Sequence, residues 1–207
     1  MIVFACFSPH PPLILPNVGS PTDRQKVKKT IKSLGSLALG LKKAKPDLVV
    51  ISSPHTDWGF KVPLHFLAKD INPDQVKRIL TDASSPQNHF QEGQKISQSL
   101  PENQRIAWIA SGDMSHRLKK DGPYGFHPSG PKFDQTFVNL LKKKDIKGIL
   151  SLPEKLTEEA GECGLRSFCL ALGALEGLKT EWQPEVLSYE GPFGVGYLVA
   201  NLKIKEK

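Results

Sequence analysis

The chain has 207 residues, 39% of them hydrophobic and 24% charged, with a formal net charge of +7. That is enough for one large or two small domains whose core needs neither disulfides nor a structural metal, and the composition excludes a disordered or fibrous chain. The basic excess sits in Lys42-Lys43-Ala44-Lys45, Lys142-Lys143-Lys144 and the tail Lys203-Ile204-Lys205-Glu206-Lys207, as on solvated helix ends. No basic stripe is interleaved with aromatic residues, so nucleic acid is not an expected partner.

The run Ile2-Val3-Phe4-Ala5-Cys6-Phe7 reads as a buried strand and leads into Ser8-Pro9-His10. It is too short, and lacks the basic flank, for a signal peptide. The proline-rich residues 11–19 form a loop over the strand end. Thr22 or Asp23 is expected to cap a helix running to about Lys43, with Val27, Ile31, Leu34, Leu37 and Leu41 on one face. Pro46-Asp47 ends it. A second strand, Leu48-Val49-Val50-Ile51-Ser52, then enters a second Ser-Pro-His, Ser53-Pro54-His55. Strand, helix and strand in about fifty residues make a βαβ unit, so the two strands are expected to be parallel and to bring His10 and His55 to one sheet edge.

Residues 61–68 read as a further strand, placed at an edge by Pro63. A helix is expected over 86–100. The third apolar run, Ile106-Ala107-Trp108-Ile109-Ala110, leads through Ser111-Gly112-Asp113-Met114-Ser115 to His116. After the Gly- and Pro-dense residues 121–131, helices are expected over 132–142, 144–150 and 163–175. Strands at 185–189 and 195–202 close the chain as a hairpin. With no linker or repeat, the reading is one α/β domain over residues 1–207, its central, mostly parallel or mixed sheet flanked by helices on both faces. No apolar stretch is long enough to span a bilayer. Cys6, Cys163 and Cys169 show no CxxC spacing, and Cys6 and Cys169 read as small buried hydrophobes, which fits a reducing cytoplasm.

Three of the six histidines thus follow predicted strands at their carboxyl ends, the edge where open α/β sheets bind ligands. Imidazole is the commonest protein ligand for Fe, Zn or Cu, and two histidines with one carboxylate form a facial set that leaves positions for substrate and O₂ on Fe(II). The third ligand is sought in Glu158-Glu159-Ala160-Gly161-Glu162-Cys163-Gly164. Glu162 lies between Gly161 and Gly164, glycines that let the backbone approach closely; Cys163 beside it is a softer alternative, and Glu190 is a rival. Glu158 and Glu159 read as charges favoured at a helix start. Asp57 and Asp113 are candidate acceptors for ring N–H groups, and Trp58 and Tyr124 can pack on an aromatic substrate. His65 and His89 have no motif around them and read as surface or structural residues.

His10 in Ser-Pro-His-Pro-Pro, His55 in Ser-Ser-Pro-His-Thr, His116 in Gly-Asp-Met-Ser-His-Arg and Glu162 in Gly-Glu-Cys-Gly resemble the class III extradiol ring-cleavage dioxygenases, in their catalytic β-subunit. The likeness runs in order from residue 1 to about 200 and is closest to small prokaryotic members of the superfamily, which includes the Memo proteins. It implies opening of a catecholic ring with O₂, Fe(II) held by His10, His55 and Glu162, and proton transfer by His116, with Zn or Cu as alternative metals. His127 and Tyr124, in the loop after His116, would contact the substrate. Memo-like relatives carry a Cys-Gly pair near the third-ligand position, as in Cys163-Gly164, and imply a metal-binding redox or accessory protein that does not cleave rings. A zinc hydrolase and a metal-free binding module are the remaining readings. Enzymes of the extradiol type are often oligomeric, which leaves a homo-oligomer open.

Overall fold

A computed structural model describes residues 1–101 and 103–205. The elements in chain order are β1 (Ile2–Ser8), α1 (Pro21–Lys26), α2 (Lys28–Ala44), β2 (Leu48–Ser53), α3 (Trp58–Phe66), β3 (Val76–Leu80), α4 (Pro86–Gln98), β4 (Ile106–Ser111), α5 (Ser129–Lys142), α6 (Ile146–Leu150), α7 (Glu154–Ala160), α8 (Leu165–Gly177), β5 (Trp182–Glu190) and β6 (Tyr197–Ile204). They build one mixed six-stranded sheet in the order β3-β2-β4-β1-β6-β5. The β2–β3, β2–β4 and β1–β4 pairs are parallel, and β6 runs antiparallel to both β1 and β5. The βαβ reading holds, with β4 inserted between the two strands that were expected to be related.

Period-two alternation sends side chains into two cores, one on each face of the sheet. Along β4, Ile106, Trp108 and Ala110 join Phe133 and Phe137 of α5 and Phe168 and Leu172 of α8. Ala107 and Ile109 face the other way, toward Leu34, Leu37 and Leu41 of α2 and Phe60 and Val62 of α3. Both faces of these strands are therefore buried, which is why they read as continuous apolar runs. Trp108, fully buried, donates its Nε1–H to Ser52 Oγ at 3.4 Å, and Ser52 Oγ lies 2.8 Å from Ser167 Oγ of α8. Helices α4 and α8 touch backbone to backbone, since a Cβ at Gly93 would strike the Leu170 carbonyl and one at Gly173 the Phe90 carbonyl.

Several expectations change. Residues 61–68 are not a strand: most of them lie in α3, capped by the Asp57 carboxylate on the Trp58 N–H. Gly59, Phe60, Val62 and Pro63 are buried at helical spacing, and this nine-residue helix forgoes one backbone bond at Pro63. The edge strand is instead β3, whose two half-buried residues, Val76 and Ile79, are three apart and leave no period-two pattern. The long first helix is broken at the buried Val27. Its cap is Ser20, in a reciprocal box with Asp23, and α2 starts afresh where the Glu190 carboxylate accepts both the N–H and the hydroxyl of Thr30 at 2.8 Å. Glu158 and Glu159 lie in the last turn of α7 rather than at a helix start. Among the described residues no helix is long and apolar enough to cross a membrane.

Asp134 of α5 ties these parts to the loop after β4. Only 1% exposed, its carboxylate accepts the Ser115 N–H at 2.8 Å and the Tyr189 hydroxyl from β5. Burial pushes its pKa up to about 6, against the pull of both hydrogen bonds. Between the ordinary carboxylate range and that value the folded chain holds a proton the unfolded chain has released, so this contribution to stability is full at low pH and is lost as pH rises. In urea titrations of wild type and Asp134→Asn, the wild type is expected to lose about 1–2 kcal/mol relative to the variant between about pH 5 and about pH 8. A pH-independent difference removes Asp134 as the source.

Candidate functional site

Strands β2, β4 and β1 are neighbours and parallel, so their carboxyl ends open on one edge of the sheet. His10 follows Ser8, the end of β1; His55 follows Ser53, the end of β2; His116 follows Ser111, the end of β4. His10 is 4% exposed, with Nδ1 3.0 Å from Ser111 Oγ, a contact that leaves Nε2 to face the cluster. The His10 and His55 rings meet edge to face with centroids 5.3 Å apart. The His55 N–H donates to Ser53 Oγ at 3.1 Å, which keeps the second Ser-Pro-His turn tight.

The third donor at this point is Cys163. One ligand atom each from His10, His55 and Cys163 lies within 4.8 Å of the others, and Cys163 Sγ is 3.6 Å from His10 Nε2. The Glu162 carboxylate turns elsewhere. It accepts the Leu165 N–H at 2.6 Å at the start of α8 and lies 3.9 Å from Arg166 Nη1. It lines a cavity with Ser85, Glu158 and Arg166, and burial pushes its pKa up to about 7. Adjacent side chains point apart here because the loop is held on both sides. Gly161 closes α7 at a φ of 62°, and the Asp113 carbonyl accepts the N–H of Gly164 at 2.9 Å. Gly112 and Gly164 pass so closely that a Cβ on Gly112 would strike the Gly164 Cα. Glu190, the other rival, is committed to Thr30.

Electrostatics at the cluster favour uncharged forms. Burial, helped by the neighbouring His55, lowers His10 to about 3 and keeps it neutral, the form that donates a lone pair. Burial pushes the Cys163 thiol well above its ordinary value, and Asp113 adds to the shift. The neutral His10 imidazole, the His55 imidazole and a thiol at this spacing fit a cation that would draw off the thiol proton. His116 stands beside this group without joining it. Its Nε2 is shielded and has no hydrogen-bond partner among the described residues, and the Tyr124 ring lies 5.0 Å from it at 31°. Burial lowers the His116 pKa, while Asp113 opposes that shift.

The other expected residues go different ways. Tyr124 is 60% exposed and stays at His116. His127 is bonded within its own loop, Nδ1 accepting the Ser129 N–H at 3.2 Å and lying 3.9 Å from Glu159. His89 is buried with a carboxylate on each ring nitrogen, Asp82 and Glu92, both at 3.3 Å, and His65 is exposed. Asp57 caps α3, and Asp113 accepts the main-chain N–H of His10 rather than a ring N–H. Ser111, the partner of His10 Nδ1, was not anticipated; its only sequence signal is its position at a strand end.

Residues 55–200 match the model of the family described as the catalytic LigB subunit of aromatic ring-opening dioxygenase. A Clostridium acetobutylicum protein, known by a locus name alone, is 30% identical over 265 aligned residues, which cover 94% of this chain and 56% of that protein. The chain thus spans little more than half the length of this curated relative. The crystal structure of an uncharacterized protein from Escherichia coli K12 superposes with a TM-score of 0.55 over 97% of this chain and 99% of that one, at 15% identity, a likeness of fold.

Gly112→Ala should force the Gly112 and Gly164 loops apart. The expected cost is about 1–3 kcal/mol in urea unfolding. A variant as stable as wild type would show that the two loops can separate freely.

Proposed function

The chain belongs to the family of the catalytic LigB subunit of aromatic ring-opening dioxygenases, and from that premise we propose that it binds a metal through His10, His55 and Cys163 and opens small catechol-like aromatic diols with O₂. The observation that carries this reading is the meeting of three ligand atoms within 4.8 Å, two of them from residues just past strand ends, near a His116 Nε2 that has no hydrogen-bond partner among the described residues. When bound, the metal supplies Lewis-acid and O₂-activating chemistry, for which the family's reaction asks for Fe(II). His10, His55 and Cys163 would hold the cation, and the burial of His10 keeps water from its ring. His116, kept neutral by burial, takes a proton from a substrate hydroxyl at Nε2 and returns it later in the cycle. Tyr124, exposed over the His116 ring, offers a face for the substrate ring. Glu162 serves as a brace at the start of α8 in this reading. His127 reaches substrate only if its loop turns from Ser129 and Glu159.

A second reading rests on the thiol. Thiolate suits copper or zinc better than Fe(II), so Cys163 favours a Memo-like metal-binding redox or accessory protein without ring cleavage.

Protein purified without oxygen, loaded with Fe(II) and given a panel of catechols in air is expected to form yellow ring-opened products. Iron-loaded protein inactive on the whole panel, but retaining stoichiometric copper or zinc, moves the conclusion to the second reading. By elemental analysis, His10→Ala with His55→Ala should abolish metal retention. Cys163→Ala should weaken metal binding at least about tenfold, whereas Glu162→Gln should leave it intact. The reverse pattern returns Glu162 to the ligand set. His116→Gln should cut turnover about 10²–10⁴-fold at unchanged metal content. Turnover within a few-fold of wild type removes His116 from proton transfer.

A further inference from the structure

Two of the three donor loops meet at the same residue. Asp113 Oδ1 accepts the main-chain N–H of His10 at 2.9 Å, and Oδ2 lies 4.0 Å from His10 Nε2. On its other side the Asp113 N–H donates to Cys163 Sγ at 3.3 Å, and its carbonyl accepts from Cys163 N at 3.4 Å and Gly164 N at 2.9 Å. The Cys163 Sγ also lies 3.8 Å from the Asp113 carbonyl and 3.6 Å from His10 Nε2, so Asp113 joins two residues that are 153 positions apart in the chain. Asp113 is itself held in place. It is 6% exposed, and the glycine before it packs against the Gly164 Cα.

We propose that Asp113 is a positioning residue whose carboxylate braces His10 while its main chain holds Cys163, so that one residue sets the separation of these two donors and its carboxylate places a counter-charge beside the cation. The proposal rests on the reading of His10, His55 and Cys163 as a metal site. An N–H donated to sulfur stabilises the thiolate over the thiol, and a carboxylate about 4 Å from a ligand nitrogen favours the cation electrostatically. Partners of this kind behind metal ligands are worth about 10–100-fold in metal affinity. A carboxylate that only closed a loop would change stability and leave the metal's surroundings as they were.

The test titrates chelator-stripped full-length protein with Co(II) and follows the thiolate-to-cobalt absorption band, with far-UV circular dichroism as the folding control. Wild type should bind Co(II) with that band. Asp113→Asn, which keeps an acceptor for the His10 N–H and loses the charge, should keep the band and bind about tenfold more weakly. Asp113→Ala should bind about 100-fold more weakly with the band displaced. Wild-type affinity in Asp113→Asn overturns the proposal, whether or not the alanine variant folds. Failure of the metal-site reading is visible separately: the wild type itself would then bind no cobalt or show no thiolate band, and the proposal falls with it.

Discussion

The parallel pairing of β1, β4 and β2 is the constraint from which the site follows. β4 is hydrogen-bonded in parallel to both neighbours, Cys6 opposite Ile109 and Ile51 opposite the same residue. Three chain directions therefore agree, and three strands spaced about 4.8 Å apart release their next residues into one space. Reversing any of them would send its histidine to the opposite edge. The buried apolar faces that lock this register, with Trp108 and Phe168 on one side and Ile51 and Leu34 on the other, are what hold the imidazoles together.

Burial then decides the chemistry. His10 and His116 are driven toward the neutral form, the Cys163 thiol is held protonated, and the carboxyls of Asp113 and Glu162 are pushed up to about 6 and about 7. Every shift goes in the direction that avoids a charge in a low-dielectric place. A bound cation would reverse that preference for the thiol and for Asp113. The same loops also contain the closest backbone approaches at the site, Gly112 on Gly164 and Gly164 on the Asp113 carbonyl, so the donors are carried by tightly apposed segments.

What could be read from residues alone followed the strength of the local pattern. β1, β2 and β4 were legible because strands buried on both faces give unbroken apolar runs, and the Ser-Pro-His turns marked their ends. β3 was not, since Val76-Lys77-Arg78-Ile79-Leu80 lies at an edge with three exposed residues. α3 was mistaken for an edge strand on its short apolar run, with Pro63 taken as the sign of an edge and the Asp57 cap not recognised, and only packing against the α2 side of the sheet makes its helical spacing visible. α7 was missed, and with it the true setting of Glu158 and Glu159.

The order of the chain by itself determined an α/β domain and the positions of His10, His55 and His116 just past strand ends, and it singled out the Glu-Cys pair between Gly161 and Gly164 as the place to look for a third side chain at the histidines. Whether Glu162 or Cys163 turns toward the histidines was a matter of which way the loop faces, and no spacing rule encodes that. The folded loop decided it through one long-range set of contacts, Asp113 against Cys163 and Gly164, and one local set at the start of α8, Leu165 and Arg166 against Glu162. Asp113, fifty residues away in the chain, holds Cys163 beside His10, while the first turn of α8 holds the Glu162 carboxylate, and it is this pairing of a remote and a local set of bonds that no sequence pattern encodes.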